Sequence, residues 1–185
     1  GKGVYPQDLD KEEFHKILIE MLKIGKVDEV AKILNQRSVV ERVGNELVAT
    51  DYVDKFKDDF AYMASELEKA SETSTNADFN EFLKLQAKAL RTADPMLDAY
   101  ADKKWATLQD TPLEFTITRE NYSDELTETV IENDELKQLL AENNITPVAK
   151  DFLGGRVGIV NKQGTDAILK VKEFLPIMAQ NMPFK

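Results

Sequence analysis

The 185 residues carry 34 Asp and Glu against 24 Lys and Arg, a net charge of -10. That balance repels phosphate backbones and anionic lipid surfaces, and argues against nucleic acid and membranes as partners. With no cysteine in the chain, disulfides, thiol nucleophiles and thiolate metal sites are excluded, and no apolar run approaches the roughly 18 residues of a membrane helix.

An apolar content of 42% is enough for a real core, so residues 1–185 are expected to form a single domain. A helical part over 1–110 carries one hairpin, and 111–185 is a strand–helix part. The start, Gly1-Lys2-Gly3-Val4-Tyr5-Pro6, lacks the apolar centre of a signal peptide. Cysteine usage leaves the compartment open, with the cytoplasm favoured.

Asp10 followed by Glu13 forms a capping pair, and Phe14, Ile17, Leu18, Met21 and Leu22 recur at helical spacing up to Gly25. A shorter helix is expected over 27–34. Val39-Val40-Glu41-Arg42-Val43 and Leu47-Val48-Ala49, separated by Gly44-Asn45, fit a hairpin. From Asp51, Tyr52, Phe56, Phe60, Met63 and Leu67 line one face of a long amphipathic helix.

The polar stretch 71–76 breaks the pattern. Phe79, Phe82, Leu83, Gln86 and Leu90 mark the next helix, and Asp94-Pro95 opens another striped by Leu97, Tyr100, Ala101, Trp105 and Leu108. Phe56, Phe60, Met63, Phe79, Phe82, Leu83 and Trp105 are expected to be largely buried.

Leu113-Glu114-Phe115-Thr116-Ile117-Thr118 alternates as a half-buried strand does, odd positions inward. A short helix over 135–142 and a turn at Asn144 and Pro147 follow. Gly154-Gly155 reads as a turn leading into a second strand, Val157-Gly158-Ile159-Val160. Ile168, Val171, Leu175 and Met178 then stripe a closing helix over 165–178, which Pro176 should kink or end early. The expected class is α+β, mainly helical, with a small sheet formed by the hairpin and the two later strands.

His15 is the single histidine, and it reads as a partly exposed surface residue of the first helix. A catalytic zinc needs about three protein ligands, so no metal site is expected within this chain. Gly154, Gly155 and Gly158 do not make a phosphate loop, because no Lys-Ser/Thr follows. The acidic clusters 58–59, 125–128 and 132–135 lack the spaced oxygens and central Gly of a calcium loop.

On the polar face of the strand from Leu113, Glu114, Thr116 and Thr118 are continued by Glu120 and Tyr122. A carboxylate and a phenol two residues apart can hold an ammonium group and donate to an oxyanion; an ordinary surface pair has the same pattern.

Phe115-Thr116-Ile117-Thr118-Arg119-Glu120-Asn121-Tyr122-Ser123-Asp124 resembles the dipeptidyl-peptidase III segment in which a strand ends in Glu-Ser-Tyr-x-Asp, with the same spacing of Glu, Tyr and Asp. Further on, Val160-Asn161-Lys162, a helix and Met182-Pro183-Phe184 resemble that family's Val-Asn-Lys, helix and Leu-Pro-aromatic. The resemblance spans roughly 77–185. It implies that Glu120 holds the free amino terminus of a peptide substrate and that Tyr122 helps to stabilise the tetrahedral transition state.

Asn121 stands where the family has Ser, and the family's His-Glu-x-x-Gly-His helix and later Glu ligand are missing. The resemblance therefore implies an amino-terminal, substrate-side fragment, inactive alone, whose zinc and carboxy-terminal catalytic half lie outside these residues. A non-catalytic helical binding or regulatory module is the competing reading.

Overall fold

The computed structural model describes residues 3–92, 94–111, 113–121 and 123–183. Asp10 caps α1 (Lys11–Lys23) by accepting the Glu13 amide at 2.8 Å. The helix ends where Gly25 takes φ 83, and the Lys26 amide turns back to the Met21 carbonyl at 2.9 Å. That left-handed closing residue is what glycine supplies without a Cβ penalty. After α2 (Val27–Ile33), β1 (Ser38–Val43) and β2 (Glu46–Asp51) pair antiparallel. Gly44 at φ 61 begins their two-residue turn, with a positive φ at the first position as in a type II′ turn.

The long helix expected from Asp51 is broken at Phe56 into α3 (Tyr52–Lys55) and α4 (Lys57–Thr73). α5 (Ala77–Arg91) and α6 (Pro95–Trp105) follow, each with a side-chain cap, Asn76 and Asp94 respectively. β3 (Leu113–Asn121) pairs antiparallel with β4 (Asp151–Ile159); between them come a 3-10 turn over Thr127–Glu132 and α7 (Asp134–Glu142). α8 (Lys162–Gln180) closes the described chain.

The mainly helical α+β class holds, and the strands form two separate two-stranded sheets rather than one. The outer edge of β1 is already used, because the Val40 amide donates to the Val4 carbonyl at 2.9 Å. The two ribbons meet at a corner, where the Asp151 amide reaches the Gln36 carbonyl at 2.8 Å.

Two hydrophobic cores result. In the first, Phe14, Leu18 and Leu22 of α1 and Val30 and Ile33 of α2 meet Val40, Leu47, Leu126, Val130, Leu136 and Leu140. In the second, Ala64 and Leu67 pack on Phe79, Phe82, Leu83 and Leu90, with Phe115 and Ile117 of β3 along its edge. Burying each such large side chain stabilises the fold by about 1.5–3 kcal/mol relative to leaving it in water. Phe60, Phe79, Phe82 and Leu83 are buried as expected, and Phe56 and Met63 are partly buried.

Four local expectations are corrected. Trp105 and Tyr100 are exposed, because α6 enters the second core through the small side chain of Ala101. Gly154 and Gly155 lie inside β4 rather than in a turn before it, opposite Thr118 and Ile117, because pairing with β3 begins at Asp151. α8 runs on past Pro176 to Gln180; one proline near a helix end removes a single backbone donor.

His15 is buried rather than partly exposed. The 3-10 turn covers it, with Nε2 at 2.9 Å from Thr129 Oγ1. Since that hydroxyl donates its proton to the Leu126 carbonyl at 2.7 Å, it accepts from His15 Nε2–H. Burial first, and the Lys11 charge second, hold the His15 pKa below its usual value.

Lys150, fully buried, joins the first core to the start of β4. Its Nζ donates to the Ile33 carbonyl at 2.7 Å, the Asn35 carbonyl at 2.6 Å and Ser38 Oγ at 2.8 Å. Three acceptors suit the three donors of an ammonium. Burial opposes them and pushes the pKa down to about 7. Asp124 braces the same junction, accepting the amides of Leu126 at 3.0 Å, Thr127 at 2.6 Å and Lys150 at 2.9 Å.

Candidate functional site

Antiparallel pairing places Glu114, Thr116, Thr118 and Glu120 on the same ribbon face as Gly158, Arg156, Gly154 and Phe152. Gly154 stands opposite Thr118, and a Cβ there would meet nothing within 4 Å. Across that gap Arg156 Nη2 donates to Glu120 Oε1. The pair is lopsided, with side chains 27% exposed for Glu120 and 69% for Arg156. Thr118 Oγ1 also lies 3.3 Å from the same carboxylate oxygen. Tyr122, expected beside Glu120 on this face, lies outside the described residues.

Beside Glu120 a cavity of about 410 Å³ runs between β3 and α6, lined among others by Asp98, Asp102, Thr118 and Arg119. A second, of about 630 Å³, continues along the ribbon past Trp105, Glu114, Thr116 and Arg156, and shares Asp102 and Thr118 with the first. Burial, and then the charge of Asp98, raise the Asp102 pKa above the usual carboxylate value. The trough thus has Asp98 and Asp102 on its helix side and Glu114, Thr116, Thr118 and Glu120 on its strand side, with Arg37, Arg119 and Arg156 among them, a polar lining of mixed charge.

The glutamate end of β3 is held by a charged cluster, part of which lines the same cavity and which the strand pattern alone does not show. Arg37 Nε meets Asp151 Oδ2 at 2.9 Å and its Nη2 meets Asp98 Oδ2 at 2.6 Å, while Arg119 Nη1 approaches the same Asp98 oxygen at 3.5 Å. Arg119 Nη2 also donates to the Ala89 carbonyl at 3.3 Å. Asn121 Nδ2 donates to the Ala149 carbonyl, and the Tyr52 hydroxyl to the Asp151 carbonyl at 2.9 Å. A signal for part of this existed: in the alternation Leu113, Phe115, Ile117, Arg119, the arginine falls on the inward face, where a charge requires a partner.

Among the described residues no group of three or more His, Cys, Asp or Glu stands close enough to hold a metal ion. No helix among them is long and apolar enough to cross a membrane.

No family model and no curated protein matches the chain. Two solved structures do. Dipeptidyl-peptidase III from Caldithrix abyssi superposes with a TM-score of 0.65 at 24% identity, covering 97% of this chain and 29% of that one. The fold is that of part of a dipeptidyl-peptidase III. The corresponding enzyme from Corallococcus sp. strain EGB agrees, with a TM-score of 0.59 at 16% identity over 99% of this chain and 29% of its own. At these identities the likeness to dipeptidyl-peptidase III is one of fold, and the chain spans less than a third of the length of either structure.

Proposed function

We propose that this chain is the substrate-side segment of a dipeptidyl-peptidase III-like zinc peptidase, in which Glu120 receives the free amino terminus of a peptide. The observation that carries the reading is the Glu120 carboxylate, set at the end of β3 beside an open trough and paired with the exposed Arg156. The Arg156 side of the pair is solvent-exposed and mobile enough to be displaced. A substrate ammonium can take the place of the guanidinium and keep charge-assisted hydrogen bonds to the carboxylate. The match in fold, over nearly the whole chain but under a third of the relatives, supports a segment that works with further protein.

Among the described residues no group could hold a metal ion; on this reading the zinc and its chemistry are supplied by that further protein, and the segment alone is inactive. What these residues do is bind and orient. Glu120 anchors the ammonium, which is present in both the ground and the transition state, and so sets affinity. Tyr122, by the family resemblance, donates where the oxyanion develops, and so sets turnover.

The experiment is dipeptidyl-arylamide hydrolysis by the longest polypeptide that the gene encodes. Glu120→Ala should raise KM with little change in kcat. Tyr122→Phe should lower kcat with KM nearly constant, by the equivalent of about 2.7–4 kcal/mol for a lost oxyanion donor. Absence of any chelator-sensitive dipeptide release would return the chain to the class of non-catalytic modules.

A further inference from the structure

α8 has 19 residues and none of them is buried. Ile168, Val171, Phe174, Leu175, Ile177 and Met178 are all more than half exposed, Ile168 by 70%. At roughly 100° per residue, Ile168, Val171, Phe174, Leu175 and Met178 fall within one stripe about 120° wide. This is as broad as the core-facing stripe of an ordinary globular helix.

The cavity beside α8 gives the orientation of that stripe, although Leu169 on its near side is itself 52% exposed. Thr165 and Leu169 line a cavity of about 460 Å³ whose far wall is Trp105, Leu108 and Phe115. They mark the side of α8 that faces this chain. By the same angular reckoning the centre of the apolar stripe lies about 140° around the helix from them, so the stripe points away from the rest of the chain. The ribbon next to α8 is bare as well, with Val157 72% and Ile159 87% exposed.

An exposed apolar helix stripe of this extent marks an interaction site. The net charge of -10 disfavours both a second copy and an anionic membrane as its cover. The fold match includes this part of the chain, and both matched proteins have more than twice as much further polypeptide beyond the aligned part.

We propose that the outward stripe of α8, with Val157 and Ile159 of β4, is the docking surface for the zinc-bearing remainder of the peptidase. α8 then becomes an interior helix between two lobes, touching this one through Leu169 and the other through Val171, Phe174, Leu175 and Met178. The identity of the occupant rests on the peptidase reading above; the outward stripe itself rests on the geometry.

The test uses Val171→Ala with Leu175→Ala, which removes both side chains while favouring helix. In the 185-residue chain the melting midpoint should move by less than about 1 °C, and sedimentation should show a monomer that does not pellet with phosphatidylglycerol vesicles. In the longest polypeptide that the gene encodes, the same pair should lower the midpoint by more than about 3 °C. A dimer of the short chain that the substitutions dissolve would overturn the proposal in favour of a second copy. Vesicle binding would overturn it in favour of a membrane. An unchanged midpoint in the longest polypeptide, or a longest polypeptide no longer than this chain, would overturn it outright. Glu120→Ala separates the two readings: it should weaken peptide binding and leave the midpoint in place. Should the long protein release no dipeptides yet still be destabilised by the α8 pair, the peptidase reading fails and the docking surface stands.

Discussion

α1 and α8 carry similar apolar stripes in sequence and meet opposite fates in the structure. Phe14, Leu18 and Leu22 of α1 are closed over by β1, β2, the 3-10 turn and α7, whereas no side chain of α8 is buried. A helical stripe states that something must cover it, and is silent on whether the cover lies within the same chain. The first core draws on residues more than a hundred positions apart, such as Tyr5 and Thr127, whose hydroxyls lie 2.6 Å apart. The apolar side chains of α8 have no such counterpart among the described residues.

The sharpest way to break this contrast is to make the same truncation in both regions. Phe82→Ala or Leu18→Ala, at positions with no exposed surface, should cost about 2–5 kcal/mol in urea unfolding. Leu175→Ala should stay within about 0.5 kcal/mol in the isolated chain, as surface changes do. Similar losses would mean that α8 is covered in solution.

Next in size is Lys150→Met, which leaves two carbonyls and a hydroxyl without their donor and should cost about 3 kcal/mol. Its pH dependence has a definite sign. The folded pKa, about 7, lies below the ordinary lysine value of 10.5, so the unfolded chain binds more protons between those limits and stability rises with pH there. The advantage of wild type over Lys150→Met should therefore grow from pH 7 to pH 9, and a flat difference would show that the three acceptors keep the ammonium charged throughout. His15 is also depressed, but its contribution is complete above its ordinary pKa and fades only as pH falls below it.

A smaller effect sharpens the account of α1. Gly25 takes φ 83, and a Cβ there would meet nothing within 4 Å, so Gly25→Ala should cost about 1 kcal/mol from backbone strain alone. A larger loss would reveal packing at this helix end that the structure does not contain.

Most of the secondary structure was legible because it is local. Caps at Asp10 and Asp94, the Gly44-Asn45 turn and the odd–even alternation from Leu113 each act within a few residues of where they are read. What stayed hidden depends on distant partners. His15 looked exposed because the threonine that covers it is 114 residues away. Trp105 looked buried because a stripe does not reveal that Ala101 makes the contact. One expected sheet is two, with Val4 on the outer edge of β1 and the ribbons joined only at the Gln36–Asp151 corner.

For the candidate site, Glu120 and its strand face could be read from alternation. Its ion pair with Arg156 and the support of Arg37 and Asp98 could not, since they join β3, β4, α6 and the segment before β1.

The central claim is that one region of this chain is complete in itself and the other awaits further protein. Hydrogen exchange across the isolated 185 residues tests it most directly, because protection reports the free energy of local opening. The amides of α1 should exchange only with global unfolding, while those of α8 and the far end of β4 should exchange orders of magnitude faster. Equal protection in α1 and α8 would contradict the claim.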